Sequence, residues 1–467
     1  MSENQKRFQQ MLVPAGATIK EAMRAIDHSG YSTALVVDPT KRLLGLVSDG
    51  DIRRAILSGA DISDSIQTMM TKQPITIRDH WTDAEVLNFL KQQKLATTGA
   101  IIKIPVVDAR GRVRDLGFAS PEGFSYLLRS SRSSAAYLRP VRRVLVVGGA
   151  GFIGSVLVRL LLDQGYAVSV LDSFLYGAEP LKAIQHQKRL TVFTGDTQHI
   201  EDVTNALQGA DAVVHLAELV GDPACAFDPQ TSQQINYLAT QQLAALCRHF
   251  QINRLIYMSS CSVYGVSKNS GCVETSPLAP VSLYAKMKVG AERVLLSMQD
   301  DNFAPTILRL ATVYGASPRP RFDLVVNLLT AKALIEKEIP IFGGSQWRPH
   351  VHVADVARAI VTVLEAPLAH VKGEIFNVGS NDQNQTILTI GRNIKKHVPA
   401  AALKIKKTHT DRRDYRVDFS KIRRRLGFRA AKTIDDGIKE IIQLLQSGAV
   451  KDYRHKRYSN IQTISQK

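Results

Sequence analysis

Tyr284 and Lys288 are the two residues whose types and spacing most directly suggest chemistry. They lie four positions apart in the string YAKMK, so on a helix both side chains reach the same face. A lysine ammonium beside a phenol favours the phenolate and moves the phenol pKa from about 10 towards neutrality. The pair therefore predicts a proton acceptor. Because the YxxxK spacing is common in helices, this interpretation depends on the surrounding elements.

Three glycines, Gly148, Gly151 and Gly154, follow the apolar run VLVV and open a helix-like segment. Glycines at such a turn let the backbone approach a pyrophosphate, which the helix N-terminus stabilises. Asp172 ends the next apolar run 18 residues after Gly154, at about the spacing expected for a ribose ligand. Its carboxylate would accept hydrogen bonds from a free 2′-hydroxyl and repel a 2′-phosphate, and the next three residues contain no Arg. The motif therefore predicts NAD rather than NADP.

Apolar runs alternate with helix-like segments through most of the chain after residue 140. The runs are VRRVLVVGG, YAVSVLD, DAVVHLAE, RLIYMSS and PTILRLATVYG. This alternation is typical of repeated βα units around a buried parallel sheet. The sequence therefore predicts an α/β fold with a doubly wound parallel sheet. Before it, residues 129–140 (RSSRSSAAYLRP) lack periodic apolar residues and are predicted to be a linker.

The composition excludes several classes of protein. The chain has 467 residues, 45% hydrophobic and 22% charged, which is enough for about three domains and excludes a disordered or collagen-like chain. The apolar runs are far shorter than the ~20 residues of a membrane helix, and the polar N-terminus resembles no secretory signal. The four cysteines match neither a metal knuckle nor a dense disulfide framework. We therefore expect free thiols, no metal and a cytoplasmic location.

The formal net charge of +18 is concentrated near the C-terminus. Residues 392–467 contain 21 Lys and Arg against 7 Asp and Glu, whereas residues 1–130 contain 17 against 14. Such a surplus can indicate nucleic acid, an anionic membrane or phosphorylated substrates as partners. Few aromatic residues accompany it and no recognition motif is visible, so nucleic acid is the least favoured of these. Contact of the C-terminal tail with a membrane face or an acidic partner remains open.

An internal duplication precedes the linker: two β-β-α-like copies occupy about 120 residues. The strings LVVDPTKRLLGLVSDGDIRRAIL, MTKQPITI and IPVVDARGRV resemble a tandem pair of CBS modules, which we place at residues 1–128. The resemblance implies that Ser48 and Asp51 hold the phosphate and ribose of an adenine nucleotide such as AMP or ATP. The second copy has no matching Asp after Ser120, so at most one site is expected. Dimerisation or docking is the alternative role of this domain.

The GxxGxxG spacing after the linker resembles the extended short-chain dehydrogenase/reductase superfamily, whose members include nucleotide-sugar enzymes. The resemblance implies a domain at residues 141–447, with a substrate lobe mainly from residues 315–345 and 375–447, followed by a basic tail at 448–467. The family's catalytic Ser or Thr stands four residues before the Tyr of a VYG string, which is Ser260 here. Ser260, Tyr284 and Lys288 would then be the catalytic residues.

The same resemblance implies further binding residues. Besides the three glycines, Asp172 and the catalytic Tyr284 and Lys288, the cofactor would contact residues in the glycine turn, the adenine-binding turn, the HLAE string and the INYLAT string, namely Phe152, Ile153, Asp196, Thr197, Leu216, Ala217 and Asn236. A nucleotide sugar would contact Asn327, Arg348, Arg413 and Arg416, since arginine can bond two diphosphate oxygens. The string HLAE, residues 215–218, stands where the family has HLAA lining the cofactor.

The expected activity is NAD-dependent epimerisation of a nucleotide sugar through a transient keto sugar, in surface-polysaccharide sugar synthesis, by a homodimer or larger homo-oligomer. Family members that are 4,6-dehydratases carry an Asp-Glu pair after the catalytic Ser or Thr. Here Cys261 and Ser262 occupy those positions, which argues against dehydration. A nucleotide-keto-sugar reductase or dehydrogenase is the first alternative. A non-catalytic sensor of adenine nucleotides and NAD is the second.

Overall fold

The computed structural model describes residues 3–93, 102–120, 123–128, 141–250, 252–267, 271–300, 303–406 and 413–460. The chain divides into two compact units, Met1–Arg139 and Pro140–Lys467. The predicted linker, residues 129–140, lies outside the described residues. Each unit is described by itself below.

The smaller unit contains two sheets. The first has the strand order β1-β2-β3 and the second the order β4-β5-β6-β7. In both, the first strand pairs in parallel with the second and the second pairs antiparallel with the third. The elements are α1 (Glu3–Gln10), β1 (Leu12–Pro14), α2 (Ile19–Ser29), β2 (Thr33–Val37), β3 (Leu43–Ser48), α3 (Asp49–Leu57), β4 (Ile77–Arg78), α4 (Asp83–Gln92), β5 (Ile102–Val107), β6 (Val113–Ser120) and β7 (Gly123–Tyr126).

Within the described residues, the two copies differ at their C-terminal ends. In the first copy, β3 leads into α3, which begins with a reciprocal cap between Ser48 and Asp51. In the second copy, β6 leads instead into β7, its antiparallel partner. The prediction of a helix as the last element of the second β-β-α copy is therefore wrong, since a strand, β7, occupies that place. The capping acid of the first copy has no counterpart after Ser120, so the signal that starts a helix is missing.

The larger unit is built on a seven-stranded sheet in the order β10-β9-β8-β11-β12-β13-β17, with all neighbours parallel. Its elements up to the last of these strands are β8 (Arg143–Val147), α5 (Gly154–Asp163), β9 (Ala167–Asp172), α6 (Glu179–Lys182), β10 (Leu190–Thr194), α7 (Ile200–Leu207), β11 (Ala212–His215), α8 (Asp222–Phe227), α9 (Pro229–Gln233), α10 (Ala239–His249), β12 (Arg254–Ser260), α11 (Leu283–Ser297), β13 (Ala304–Leu310), β14 (Thr312–Tyr314), α12 (Val325–Ile335), β15 (Glu338–Phe342), β16 (Trp347–His352), α13 (Val353–Glu365), α14 (Leu368–Val371) and β17 (Ile375–Val378).

Helices cover both faces of this sheet. On one face, apolar residues of α5 and α13 pack on the strands, and on the other face those of α7, α10 and α11 do so. The inner strands are buried on both faces, and β13 is buried along its whole length, whereas the edge strand β10 is partly exposed. The predicted α/β fold with a doubly wound parallel sheet is confirmed. The strand order reverses next to β8, which is where such folds bind ligands.

A smaller lobe lies beyond β13. It contains a three-stranded sheet, β14-β16-β18, and a parallel pair, β15 with β19. Apolar residues of α12, α15 and α17 form its core with β15. The remaining elements are β18 (Asn384–Thr386), α15 (Ile387–His397), β19 (Ala402–Lys406), α16 (Ser420–Leu426) and α17 (Ile434–Gln446).

The C-terminal segment, residues 448–460, is packed against this lobe rather than forming a free basic tail. Tyr453 and Tyr458 are each 5% exposed and pack edge-on against Phe322. The backbone N–H of Phe322 donates to the carbonyl of Tyr458 at 2.9 Å. Within the predicted basic tail at 448–467, aromatic burial therefore holds residues 448–460 against the lobe. Residues 461–467 lie outside the described part.

Candidate active site

A cavity of about 840 Å³ opens in the larger unit where β8, β9, β11, β12 and β13 end. It runs from the glycine turn after β8, past the first turns of α11, to the lobe around β15. Many of the residues predicted for cofactor, catalysis and substrate line it. They are Gly148, Gly151, Phe152, Ile153, Gly154, Asp172, Asp196, Thr197, Leu216, Ala217, Ser260, Tyr284, Lys288, Arg348 and Arg413.

The glycine turn has room for backbone only. Gly148 has φ +87°, and a Cβ atom there would lie 2.7 Å from the amide nitrogen of Ala217. A Cβ atom on Gly154 would lie 2.1 Å from the carbonyl oxygen of Gly148. The turn therefore requires glycine at both positions, and it presents the N-terminus of α5 to the cavity. This arrangement fits a cofactor diphosphate.

Asp172 stands at the end of β9 beside that turn. Its Oδ2 accepts a hydrogen bond from the Ala150 N–H at 2.9 Å, and its Oδ1 accepts one from the Phe174 N–H at 2.8 Å. Burial raises the pKa of this carboxyl, although the two backbone N–H groups oppose the shift. The two bonds fix the side chain at the cavity wall, where each oxygen keeps a lone pair that can accept a ribose hydroxyl.

Asn236 does not reach the cavity. Its Oδ1 accepts from the Leu219 N–H and its Nδ2 donates to the Leu219 carbonyl, both at 2.8 Å. The side chain is 1% exposed and holds the loop between β11 and α8. The prediction that Asn236 contacts the cofactor is therefore wrong: both polar ends of the amide already bond the backbone.

The three predicted catalytic residues come from two neighbouring elements. Ser260 ends β12, and its Oγ accepts the Ser262 N–H at 3.1 Å. Tyr284 and Lys288 lie in the first turns of α11, which Ser282 caps by accepting the Ala285 N–H. The Lys288 ammonium lies 5.5 Å from the centroid of the Tyr284 ring and donates to the Met258 carbonyl. One helix and one strand end thus bring a hydroxyl, a phenol and an ammonium to one wall.

Glu218 adds a carboxylate to this group. Its Oε2 forms an ion pair with the Lys288 ammonium, and its Oε1 accepts the Tyr257 hydroxyl at 2.8 Å. The Glu218 side chain is 3% exposed and that of Lys288 is 4% exposed. Burial first, and then the charge of Glu218, raise the pKa of Tyr284 well above its ordinary value. The match of HLAE to the family's HLAA gave no signal of this contact, although Glu stands where the family has Ala.

A second buried ion pair lies beneath the catalytic helix. Arg309 on β13 binds Glu292 on α11 through Nε and Nη2, at 3.0 and 2.7 Å. The same carboxylate accepts the Ser259 hydroxyl, and the guanidinium also donates to the Tyr264 hydroxyl at 3.0 Å. The pair joins α11 to the two strands that end at the cavity. No local pattern in the sequence marked these residues, because they lie 17 positions apart on different elements.

Two of the four predicted substrate residues line the far end of the cavity. Arg413 forms an ion pair with Asp222, with its Nη1 2.9 Å from Oδ2. Arg348 is 5% exposed and donates to the carbonyls of Trp347 and Arg413. These bonds hold two guanidinium groups at one wall of the cavity.

The other two predicted substrate residues lie elsewhere. Asn327 is fully buried: it accepts the Gly315 N–H at 3.0 Å and donates to the carbonyls of Gly315 and Arg321. Arg416 is exposed and stacks on Trp347, 4.0 Å from the ring centroid. Neither residue lines the cavity. The prediction that each contacts a substrate bound there is therefore wrong. Asn327 instead braces the loop after β14, because its amide is consumed by backbone groups.

Arg319 and Arg321 are cavity residues that the sequence reasoning missed. Arg321 binds Asp323 through two bonds of 2.9 Å. Arg319 is 4% exposed, stacks on the Tyr176 ring at 4.0 Å, and has no partner for Nε or Nη2 among the described residues. Burial and the neighbouring Arg321 lower its pKa to about 10. The run SPRPRFD was the available signal, since two arginines precede an acid directly before a helix.

The positions after Ser260 carry no carboxylate. Cys261 is 1% exposed and its thiol donates to the Arg309 carbonyl at 3.3 Å, away from the cavity. Ser262 lines the cavity and is 4% exposed. Within the described ranges, no group of His, Cys, Asp or Glu is arranged to hold a metal ion. No helix in the same ranges combines the length and apolar character needed to cross a membrane.

In the smaller unit, Ser48 and Asp51 bond each other. The Ser48 N–H and hydroxyl donate to Asp51 Oδ2 at 2.8 and 2.6 Å, and the Asp51 N–H donates back to Ser48 Oγ. Asp51 Oδ1 accepts from Arg54, 2.5 Å away. The pair thus caps α3, and a nucleotide there would compete with these bonds.

The parallel sheet, the glycine turn and Asp172 place the larger unit in the class of NAD-binding Rossmann proteins. Family comparison narrows this class: residues 144–379 match the model described as NAD dependent epimerase/dehydratase family. The chain belongs to that family. Residues 11–58 match the CBS domain model, so a CBS domain precedes the enzyme unit.

Curated relatives agree with this assignment. The chain is 30% identical over 325 residues to an uncharacterized UDP-glucose epimerase, YtcB, of Bacillus subtilis, covering 65% of this chain and 98% of the relative. It is 28% identical over 320 residues to a dTDP-glucose 4,6-dehydratase of Streptomyces niveus, covering 64% and 92%. Both reaction types therefore occur among its relatives.

Solved structures agree as well. The UDP-glucuronic acid 4-epimerase of Bacillus cereus, in complex with UDP-glucuronic acid and NAD, superposes with a TM-score of 0.60 at 28% identity, covering 65% of this chain and 99% of that one. TunA, an NAD-dependent NDP-hexosamine 5,6-dehydratase, superposes with a TM-score of 0.58 at 29% identity, covering 67% and 100%.

Proposed function

We propose that the protein is an NAD-dependent nucleotide-sugar epimerase that acts through a transient keto sugar. The observation that carries the proposal is the common cavity. The glycine turn, Asp172, Ser260, Tyr284 and Lys288 line one continuous space of about 840 Å³. A cofactor and a sugar bound there would both reach the same phenol, as a redox-neutral epimerisation requires.

The cofactor would be held by the glycine turn through its diphosphate and by Asp172 through its ribose, and bound NAD supplies a hydride acceptor and donor. Tyr284 would take the proton of a sugar hydroxyl and later return it. Ser260 would hold the same oxygen through its hydroxyl. Lys288 lies one turn from Tyr284, with its ammonium 5.5 Å from the centroid of the phenol ring. These are proposed roles of this chain's own side chains.

Positive charge at the cavity wall supports a nucleotide diphosphate sugar as substrate. Arg319, Arg348 and Arg413 line the cavity, and the Arg413 charge is offset by Asp222. Arginine bonds diphosphate oxygens through its planar fork, often two at a time. Related structures hold UDP-glucuronic acid with NAD and UDP-glucose, which makes UDP sugars the first substrates to test.

The absence of a suitable acid argues against dehydration. The resemblance implies an Asp-Glu pair directly after the catalytic hydroxyl in 4,6-dehydratases, and Cys261 and Ser262 occupy those positions here. Glu218 and Asp222 both line the cavity, but Lys288 and Tyr257 engage the first and Arg413 and Ser282 engage the second. A keto-sugar reductase remains the competing function and a sensor without catalysis the third. The reductase differs in consuming reduced cofactor stoichiometrically.

The decisive experiment incubates the full chain and catalytic NAD with UDP-, GDP-, CDP- and dTDP-sugars in deuterated water. Products are analysed by mass spectrometry and NMR. Epimerisation through a keto sugar gives a product of unchanged mass, no solvent deuterium on carbon and no net NADH.

Other outcomes assign another reaction. Loss of the mass of water would show dehydration. Deuterium at a carbon would show deprotonation beside a carbonyl. Keto-sugar substrates that consume NADH mole for mole would show the reductase. If no sugar in the panel changes while NAD binds, the epimerase proposal fails for these substrates.

Adenine-nucleotide binding by the CBS domain remains a separate proposal. Calorimetry with AMP and ATP on the full chain tests it, with Asp51→Ala and Arg53→Ala compared. Specific loss of binding in Asp51→Ala supports the proposed site. If Asp51→Ala binds the nucleotides as tightly as Arg53→Ala and the wild type do, the proposed site is refuted.

A further inference from the structure

Glu218 is a buried acid in the catalytic group for which the proposed reaction has no use. It stands at the end of the HLAE string, directly after β11, and its side chain is 3% exposed. Burying an ionised carboxylate is costly unless a cation and hydrogen bonds compensate. Here the Lys288 ammonium and the Tyr257 hydroxyl provide both, although burial outweighs them and raises the pKa of Glu218 above its ordinary value.

The contact changes what Lys288 can do for Tyr284. The ammonium lies 4.6 Å from the Tyr257 ring centroid and 5.5 Å from the Tyr284 ring centroid. Unopposed, its charge would favour the phenolate of Tyr284. The Glu218 carboxylate is in direct contact with the ammonium, so Tyr284 faces a neutral ion pair rather than a free cation.

We propose that Glu218 is a positioning residue that neutralises Lys288 and thereby keeps the Tyr284 hydroxyl protonated to a higher pH than the Tyr-Lys pair alone would allow. The inference deepens the proposed function, because it assumes that Tyr284 exchanges the substrate proton. The same electrostatic relationship exists in the protein without substrate and can be measured there.

The other ionisable groups around this pair do not replace Glu218. Burial lowers the pKa of His215 to about 3, so His215, which bonds Thr240, is neutral. The Tyr257 hydroxyl is kept protonated by burial and by Glu218. Other groups that act on Tyr284 or Tyr257 from the described elements include Asp222 and Cys225 of α8, Arg321 before α12 and Glu292 of α11. Arg321 is balanced by Asp323, and Glu292 by Arg309.

The test compares Glu218→Gln with the wild type. Gln keeps the shape and removes the charge, leaving Lys288 uncompensated. We expect the acid limb of the kcat/KM profile to move to lower pH by about one unit. In the protein without substrate, the tyrosinate absorbance that disappears in Tyr284→Phe should shift in the same direction by the same amount.

Two variants act as controls. Tyr257→Phe removes the hydroxyl that donates to Glu218 but keeps the Glu218 charge. The pH profile of kcat/KM in this variant should therefore match that of the wild type. Glu218→Asp should restore the wild-type profile at least partly. If Glu218→Gln does not fold, Glu218→Ala admits water around Lys288 and should shift the titration with the same sign.

An unchanged Tyr284 titration in folded Glu218→Gln or Glu218→Ala overturns the inference, because Glu218 would then be neutral in the wild type or act only in packing. A shift to higher pH also overturns it. The titration needs no turnover, so the inference can fail while sugar epimerisation is observed. Conversely, the expected shift in a protein that epimerises no sugar would leave the electrostatic role standing and the proposed function refuted.

Discussion

Arg309 and Glu292 form a two-bond ion pair in which both side chains are 3% exposed. The pair joins β13 to the catalytic helix α11. Breaking a buried pair leaves an uncompensated charge and costs about 3–5 kcal/mol. We therefore expect Glu292→Gln to lower the free energy of unfolding by that amount in denaturant titrations.

The double variant Glu292→Leu with Arg309→Met is the matched control. It removes both charges together, so its loss of stability should be smaller than that of Glu292→Gln. Equal losses in the two proteins would show that the ion pair is not the source of the effect.

Replacing Tyr284 tests its role in proton transfer. We expect Tyr284→Phe to lower kcat by about 10²–10⁴-fold, the usual contribution of a positioned acid/base. NAD should still bind, because the glycine turn and Asp172 are untouched. Equilibrium titration of NAD and steady-state rates measure the two effects, and wild-type turnover in this variant would remove Tyr284 from the mechanism.

Replacing Arg319 should separate stability from binding. Its guanidinium is buried with Nε and Nη2 unpaired among the described residues, so Arg319→Gln should keep or raise the melting temperature of the protein without ligands. The variant should bind NAD or UDP-sugar about 10–100-fold more weakly, as expected when a charged hydrogen bond is lost. Arg321→Gln is the control: it breaks the bond to Asp323 and should lower the melting temperature.

Titrating the two ligands separately shows which anion Arg319 binds. If Arg319→Gln binds only NAD more weakly, Arg319 contacts the diphosphate of the cofactor. If it binds only the UDP-sugar more weakly, Arg319 contacts the diphosphate of the substrate. Unchanged affinity for both would contradict the expectation.

Glu440 makes part of the stability pH-dependent. Burial raises its pKa, but His352, 2.8 Å away, and Lys432, 3.0 Å away, outweigh burial and lower it to about 2. An acid with a lowered pKa stabilises the fold above its unfolded pKa of about 4.5 and loses that contribution as pH falls towards 2. Glu440→Gln should therefore be less stable than the wild type by about 1 kcal/mol at neutral pH, after allowing for solvent screening.

Thermal melts at about pH 6 and about pH 3 measure this effect. The difference between wild type and Glu440→Gln should shrink at the lower pH. A difference that stays constant across this range would contradict the assignment to Glu440.

The features that were predictable from the sequence are those encoded over short stretches of chain. The parallel sheet follows from continuous apolar runs. The glycine turn and the Tyr284–Lys288 pair follow from spacing within one turn or one helix. Each of these can be recognised without knowledge of what folds against it.

The features that were missed depend on contacts between distant segments. Glu218 meets Lys288 across 70 residues, and no local pattern marks that contact. Asn236 and Asn327 were assigned to ligands because their positions match family motifs, but their amides satisfy backbone groups of loops. An amide in a motif can serve a ligand or a loop equally well, and only the folded neighbours decide.

The C-terminal segment limits how this enzyme can be recombined with its relatives. Asn460 donates its backbone N–H to Asp323 at 3.2 Å and its side-chain amide to the Val220 carbonyl at 3.4 Å, and it lines the cavity. One wall is thus assembled from three stretches that are distant in the chain. In a chimera whose crossover lies between β11 and the C-terminal segment, the residues of this cavity wall would come from two different parent proteins. Exchanges aimed at a new sugar specificity must therefore transfer residues near 220, 323 and 460 together.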